Sequence, residues 1–152
     1  MSDRQTVLPD LIDALVALGI ARFAEATVTD GPVDMGNLGA YLCIGCDDPF
    51  SESARPAATS TIEWVTNNGR EESGYVACAI YAWDGSGVMK TARDECLSMA
   101  SVIQADLKAR TVTLDGVHWR DLNFADAQYG QDRLNGAALA VLSFHINYRA
   151  RI

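Results

Sequence analysis

Leu8, Leu11, Ile12, Leu15, Val16, Leu18 and Ile20 recur at three- and four-residue spacing, while Asp10, Asp13 and Arg22 fall off that stripe. This is the pattern of a helix with one buried face. Pro9 suits its first turn, where a missing N–H costs nothing. Gly19 is expected to end the regular part or to weaken it. Thr27 to Asp30 reads as a short strand, followed by a Gly-, Pro- and Asp-containing connection to Gly39. Ala40 to Cys46 is an apolar run bounded by turn signals, hence a second strand. Asp47 to Ser60 carries Pro49, Pro56 and three serines and reads as a long surface loop. Loops of that length are uncommon without a role.

Thr61 to Thr66 sets Ile62 and Trp64 on one face against Thr61 and Glu63 on the other. Asn67-Asn68-Gly69-Arg70 then predicts a hairpin, because Asn-Gly tolerates the positive φ angles of a type I′ turn. The returning strand runs to about Trp83. From Tyr75 on it is apolar on both sides, with Val76, Cys78 and Ile80 on one and Tyr75, Tyr81 and Trp83 on the other. Both faces therefore need cover. Asp84-Gly85-Ser86-Gly87 turns into a second helix, with Ser86 as its expected N-cap. Met89, Ala92, Cys96, Met99, Ala100, Ile103 and Leu107 form its buried stripe, against wet Lys90, Arg93, Glu95 and Lys108. Val112–Leu114 and Val117–Trp119 flank Asp115-Gly116, a second hairpin signal. Leu122–Tyr129 reads as a strand. Ala138–Ala150 alternates cleanly, with Leu142, Phe144, Ile146 and Tyr148 opposite Ser143, His145, Asn147 and Arg149.

The predicted order α-β-β-β-β-α-β-β-β gives an α/β (α+β) fold, a mostly antiparallel or mixed sheet with two helices on one face. The 152 residues fit one domain spanning 1–152. A chain of this size buries roughly 70% of its unfolded surface.

Charge and chemistry narrow the function classes. The net charge of −8 opposes tight nucleic-acid binding, and the basic residues are scattered, Arg149 and Arg151 being the densest pair. The first apolar stretch is broken by Asp10 and Asp13, so neither a signal-peptide core nor a membrane span is expected. The chain is expected to be made and kept in a cytoplasm, with four cysteines as free packing thiols. Cys43-Ile44-Gly45-Cys46 matches C-x-x-C, but it ends a strand instead of opening a helix. Residues three apart on a strand point to opposite faces, so the two sulfurs are expected to diverge. As half of a zinc site the pair lacks a second half. Gly85-Ser86-Gly87-Val88-Met89-Lys90-Thr91 has the context of a phosphate loop but the wrong spacing, with Lys90 already on the helix body. His118 and His145 read as solvated or hydrogen-bonded structural histidines, without a motif that marks a catalytic triad. Asp47-Asp48-Pro49 with Glu52 lacks the ligand alternation of a calcium loop. No catalytic residue, metal ligand or cofactor is assigned. Trp64, Tyr75, Tyr81 and Trp83 divide between core and an interface with other copies, since aromatics concentrate in interface hot spots.

The opening helix Leu8-Pro9-Asp10-Leu11-Ile12-Asp13-Ala14-Leu15 and the strand and acidic turn Leu42-Cys43-Ile44-Gly45-Cys46-Asp47-Asp48-Pro49 carry a family resemblance. So do the mid-chain hairpin, the long helix after it and the closing strand Val141–Ala150. Over most of its length the chain resembles the tail terminator proteins of long-tailed bacteriophages. The resemblance implies a non-enzymatic virion subunit, without cofactor, that forms a hexameric ring at the head-proximal end of the tail tube. Such a ring, assembled in the host cytoplasm, stops tube growth and docks the head connector or head-completion protein. DNA passes through its lumen without specific contact, and no membrane is involved. A closed ring joins two different patches of one subunit, burying typically ~1,200 Å² or more per interface. Asp47, Asp48, Phe50, Tyr75, Tyr81, Trp83 and Arg149 are the candidate contact residues, from the second sheet face and the long loop. Three other readings stay open: another head–tail joining or tail-completion protein, a small thiol-dependent enzyme using Cys43 and Cys46, and a ligand-binding module.

Overall fold

The computed structural model of the chain describes residues 6–32, 39–47, 56–66 and 69–152. The first helix, α1 (Leu8–Arg22), buries Leu11, Leu15 and Gly19, four residues apart on one face. The helix does not end at Gly19 but runs on to Arg22. A Cβ there would lie 2.8 Å from Leu42 Cδ2 and 3.0 Å from Val28 Cγ1, so the missing side chain lets the helix seat against the sheet. Ile20, predicted on the buried stripe, is exposed.

The strands are β1 (Thr27–Asp30), β2 (Ala40–Ile44), β3 (Thr61–Thr66) and β4 (Gly69–Asp84), then β5 (His118–Leu134) and β6 (Ala137–Arg151) after the second helix, α2 (Met89–Lys108). Among the described residues they form one six-stranded sheet in the order β1-β2-β4-β6-β5, with β3 beside the first part of β4. β1 and β2 run parallel, and the other pairs are antiparallel. The expected α+β class, with both helices on one face, is what the chain adopts. Leu11 and Leu15 of α1 and Cys96, Met99, Ile103 and Leu107 of α2 pack with Leu42, Ile80, Leu142, Phe144 and Ile146 in one core. Neither described helix is long and apolar enough to cross a membrane.

Two local expectations are corrected. Ser86 does not cap α2: Val88 is the N-cap, and its N–H donates to the Asp84 carboxylate at 2.7 Å, as does the Ser86 hydroxyl at 2.9 Å. An ionised acceptor makes the stronger bond at a positive helix end. Asp115-Gly116 does not join two strands either. It lies in a turn closed by Val117 N–H donating to Leu114 O at 3.2 Å. Val112 is buried, and its carbonyl accepts from the Trp119 indole at 2.9 Å. Residues from His118 pair instead with β6, which merges the predicted Val117–Trp119 and Leu122–Tyr129 strands into one. The hairpin turn is Asn135-Gly136, with φ of 51° and 83°. Two successive positive φ angles in a two-residue loop are the type I′ signature.

Two buried carboxylates tie the elements together. Glu72, on the core side of β4, is fully buried. It accepts from Thr6 Oγ1 (2.7 Å), Val7 N–H (2.8 Å), Ser60 Oγ (2.9 Å) and Tyr148 OH (2.9 Å). The start of α1, the approach to β3 and the end of β6 thus meet at one charge. Asp106 of α2 accepts a two-pronged contact from Arg22 of α1, at 2.9 and 2.8 Å.

Candidate assembly surface

The alternation of β2, β4 and β6 that feeds the core sends the intervening side chains to the opposite face. Near the β1 end of the sheet this outer face is apolar. Tyr41, Cys43, Ala79, Tyr81 and Leu139 form a second buried cluster, flanked by Cys46, Trp83 and Val141. Tyr81 is 0% exposed, so a neighbouring chain would meet it only through the residues above it. Trp83 is half-buried, and its indole N–H has no hydrogen-bond partner among the described residues. A buried donor left unpaired costs about 1–3 kcal/mol.

Farther along β4 and β6 the same face turns polar. The His145 ring stacks on Tyr75 with centroids 3.9 Å apart and planes 5° from parallel. Its Nε2 lies 3.5 Å from Asp47 and its Nδ1 lies 3.4 Å from Asp126. A protonated imidazole donates from both nitrogens, so this ring can tie the chain at Asp47 to β5 across the sheet. Arg149, mostly exposed, binds Glu71 on the neighbouring strand. The structure therefore brings Asp47 and Tyr75 together around His145, puts Tyr81 and Trp83 in the apolar zone, and leaves Arg149 at the far end. Asp48 and Phe50 lie outside the described residues.

The cysteines are not bridged. Against expectation, Cys43 and Cys46 join the same cluster. The strand ends at Ile44 and the chain turns at Gly45 (φ 88°), so strand alternation no longer separates them. Burial pushes the Cys43 thiol up to about 11 and Cys96 up to about 12, and it raises Cys78 as well. Thiols held protonated at neutral pH are poor nucleophiles. Lys90 sits in the first turn of α2 and pairs with Asp94, as its spacing from Gly87 implied. Among the described residues no group of three or more His, Cys, Asp or Glu could hold a metal ion.

No family model and no curated protein matches the chain in sequence. A solved structure does match in fold. The chain is similar to one from the virion of a native gene transfer agent particle, with a TM-score of 0.50 and 13% identity, over 91% of each chain. At that identity the likeness is one of fold.

Sequence reasoning passed over several residues on these surfaces. Glu72 and Asp106 sit at ordinary polar positions in the pattern, and only their three-dimensional partners distinguish them. The Asn135-Gly136 turn did carry a readable signal, a two-residue Asn-Gly step between β-forming segments. Trp64, expected to divide between core and interface, is 72% exposed.

Proposed function

We propose that the chain is a structural subunit of a tailed, phage-like virion and, within that class, a tail terminator that forms a ring at the head-proximal end of the tail tube. The observation that carries this reading is the fold likeness to a virion chain over 91% of both chains. The order of elements that resembles tail terminators supports the finer role. The proposed contact lies on the outer sheet face, where Trp83, Tyr75 and Asp47 are half-buried and Arg149 is exposed. Tyr81 supports that face from beneath. The proposed contact residues also include Asp48 and Phe50, by the resemblance alone. The buried Cys43 thiol, held protonated at neutral pH, speaks against the thiol-enzyme alternative.

The role is tested by adding the purified protein to polymerising tail tube protein and measuring tube lengths by electron microscopy. A terminator gives short tubes of uniform length with added density at one end, and native mass spectrometry then finds a six-subunit ring. Tubes that grow unchecked without end density would refute it. Presence on headless tails separates a terminator from other head–tail joining proteins. Assembly that survives Cys43→Ser/Cys46→Ser removes the thiol reading.

A further inference from the structure

Both ring nitrogens of His145 face a carboxylate. Nε2 lies 3.5 Å from Asp47, just past the end of β2, and Nδ1 lies 3.4 Å from Asp126 on β5. The Tyr75 ring lies flat against the imidazole and fixes the plane in which the two nitrogens point. β5 carries one extra residue at this place: Ala125 pairs with His145 and Gln128 with Ser143. Such a bulge re-aims a side chain. Asp126 within it has a φ of 54°, a left-handed backbone that aspartate tolerates with some strain. The other neighbours of the ring on this face carry no charge. Ala77 lies directly across on β4, with Ala79 beyond it, and Ala125 lies across on β5, flanked by Asn123 and Gln128. β6 itself adds Ser143 and Asn147. The stretch at Ala57 and Thr59, bonded to Ala77 and Tyr75, has no ionisable side chain. Glu71, Asp121 and Arg149 stand farther along the ladder, where Arg149 binds Glu71. Among the described residues, Asp47, Asp126 and Tyr75 are thus the ionisable groups set against the imidazole.

We propose that His145 is a proton-operated clasp, which tethers the β5 bulge to the outer sheet face when charged and releases it when neutral. The clasp needs one folded chain only and does not depend on the ring. A charged imidazole donates from both nitrogens and offsets one of the two facing carboxylates. The stacked phenol ring favours the same state, because an aromatic face attracts a cation. A neutral imidazole keeps one proton and presents a lone pair from its other nitrogen. Asp47 is 20% exposed and Asp126 68%. Water can therefore replace the ring at Asp126 far more readily than at Asp47. The remaining proton stays on Nε2 toward Asp47, and the lone pair on Nδ1 repels the Asp126 carboxylate. Asp126 swings to solvent, and the bulge loses a tether that holds its left-handed residue in place. Histidine is the side chain whose charge ordinarily changes between about pH 5 and 8, so the clasp works in the range that a cell or its surroundings can reach.

Amide hydrogen exchange of the full chain, compared at about pH 5.5 and about pH 8 after correction for the intrinsic pH dependence of exchange, tests the clasp. The β5 amides around the bulge, from Ala125 to Tyr129, should exchange about three- to fivefold faster at the higher pH, the scale of one exposed ion pair. His145→Gln cannot change charge and should show the fast rate at both pH values. Asp126→Asn suits the left-handed backbone equally well and leaves the ring untouched. It should remove the acceleration at high pH or reverse it, since its amide can donate to the lone pair on Nδ1. Asp126→Asn also carries the test by itself if His145→Gln does not fold. Equal wild-type rates at the two pH values, or an acceleration of the wild-type sign that persists in either variant, would overturn the proposal.

Discussion

Glu72→Gln probes how α1 is fastened to the sheet. The wild-type carboxylate takes three hydroxyl donors on Oε2 and the Val7 N–H on Oε1. A glutamine has one acceptor oxygen with two lone pairs, and its amide nitrogen can only donate. The Tyr148 hydroxyl has an alternative acceptor, the Thr59 carbonyl at 2.9 Å. The Thr6 and Ser60 hydroxyls can rotate. With the amide oxygen turned toward those hydroxyls, the Val7 N–H faces another donor at the N-cap of α1. That orphaned buried donor costs about 1–3 kcal/mol. Loss of the negative charge at the helix N-terminus adds roughly 0.3–1 kcal/mol. Relief of charge desolvation offsets part of the sum. The net expectation is a loss of about 2–3 kcal/mol, or a fall in Tm of roughly 4–12 °C at this chain length. Urea unfolding followed by circular dichroism measures it, with an unchanged m-value confirming that the two-state comparison holds. Ser60→Ala, which removes one donor and leaves the carboxylate in place, should cost clearly less. A Glu72→Gln loss below about 0.5 kcal/mol, within the range of ordinary surface substitutions, would refute the view that this carboxylate anchors the helix.

Arg22→Ala should destabilise by about 1–2 kcal/mol, because it leaves the largely buried Asp106 carboxylate without its cation, and adding Asp106→Ala should recover part of that loss. Gly19→Ala should cost about 1–3 kcal/mol by forcing Leu42 and Val28 away from α1, read as a lower urea midpoint. Stability should also fall as the solution becomes alkaline. The unfolded Cys43 thiol loses its proton near 9, whereas burial holds it to about 11 in the folded chain. Above pH 9 the unfolded state therefore binds fewer protons, and stability declines until the folded thiol also ionises. Cys43→Ala should flatten the urea midpoint against pH between 9 and 11 relative to wild type, and an unchanged slope would contradict the assignment.

Elements with a strong periodic signature were legible from the chain. The stripe from Ala92 to Leu107 and the alternation from Leu142 to Tyr148 each report which side chains are buried, since burial follows the period of a helix or strand directly. Failures arose where a partner distant in sequence decided the outcome. Asp115-Gly116 carries the chemistry of a hairpin turn, yet β6 offers β5 a ladder from His118 to Leu134 that a local hairpin cannot match. Ser86 is a good capping residue by type, but Asp84 reaches the same N–H with a full charge. The C-x-x-C sulfurs were expected to diverge because the strand was drawn two residues too long. Glu72, which accepts four hydrogen bonds on the core side, gave no signal at all. A buried carboxylate is recognised by its donors, and these come from Thr6, Val7, Ser60 and Tyr148, scattered along the chain.

The position of β6 has a consequence for synthesis. Made after every strand that it joins, it lies between β4 and β5 and donates Leu142, Phe144 and Ile146 to the middle of the core. Until it arrives, β4 has an unfilled edge along most of its length, and α2 has only part of its seat. A nascent chain at that stage exposes sticky strand and helix surface at once, which is the condition under which newly made chains aggregate. Completion of the sheet and of its core therefore waits for β6.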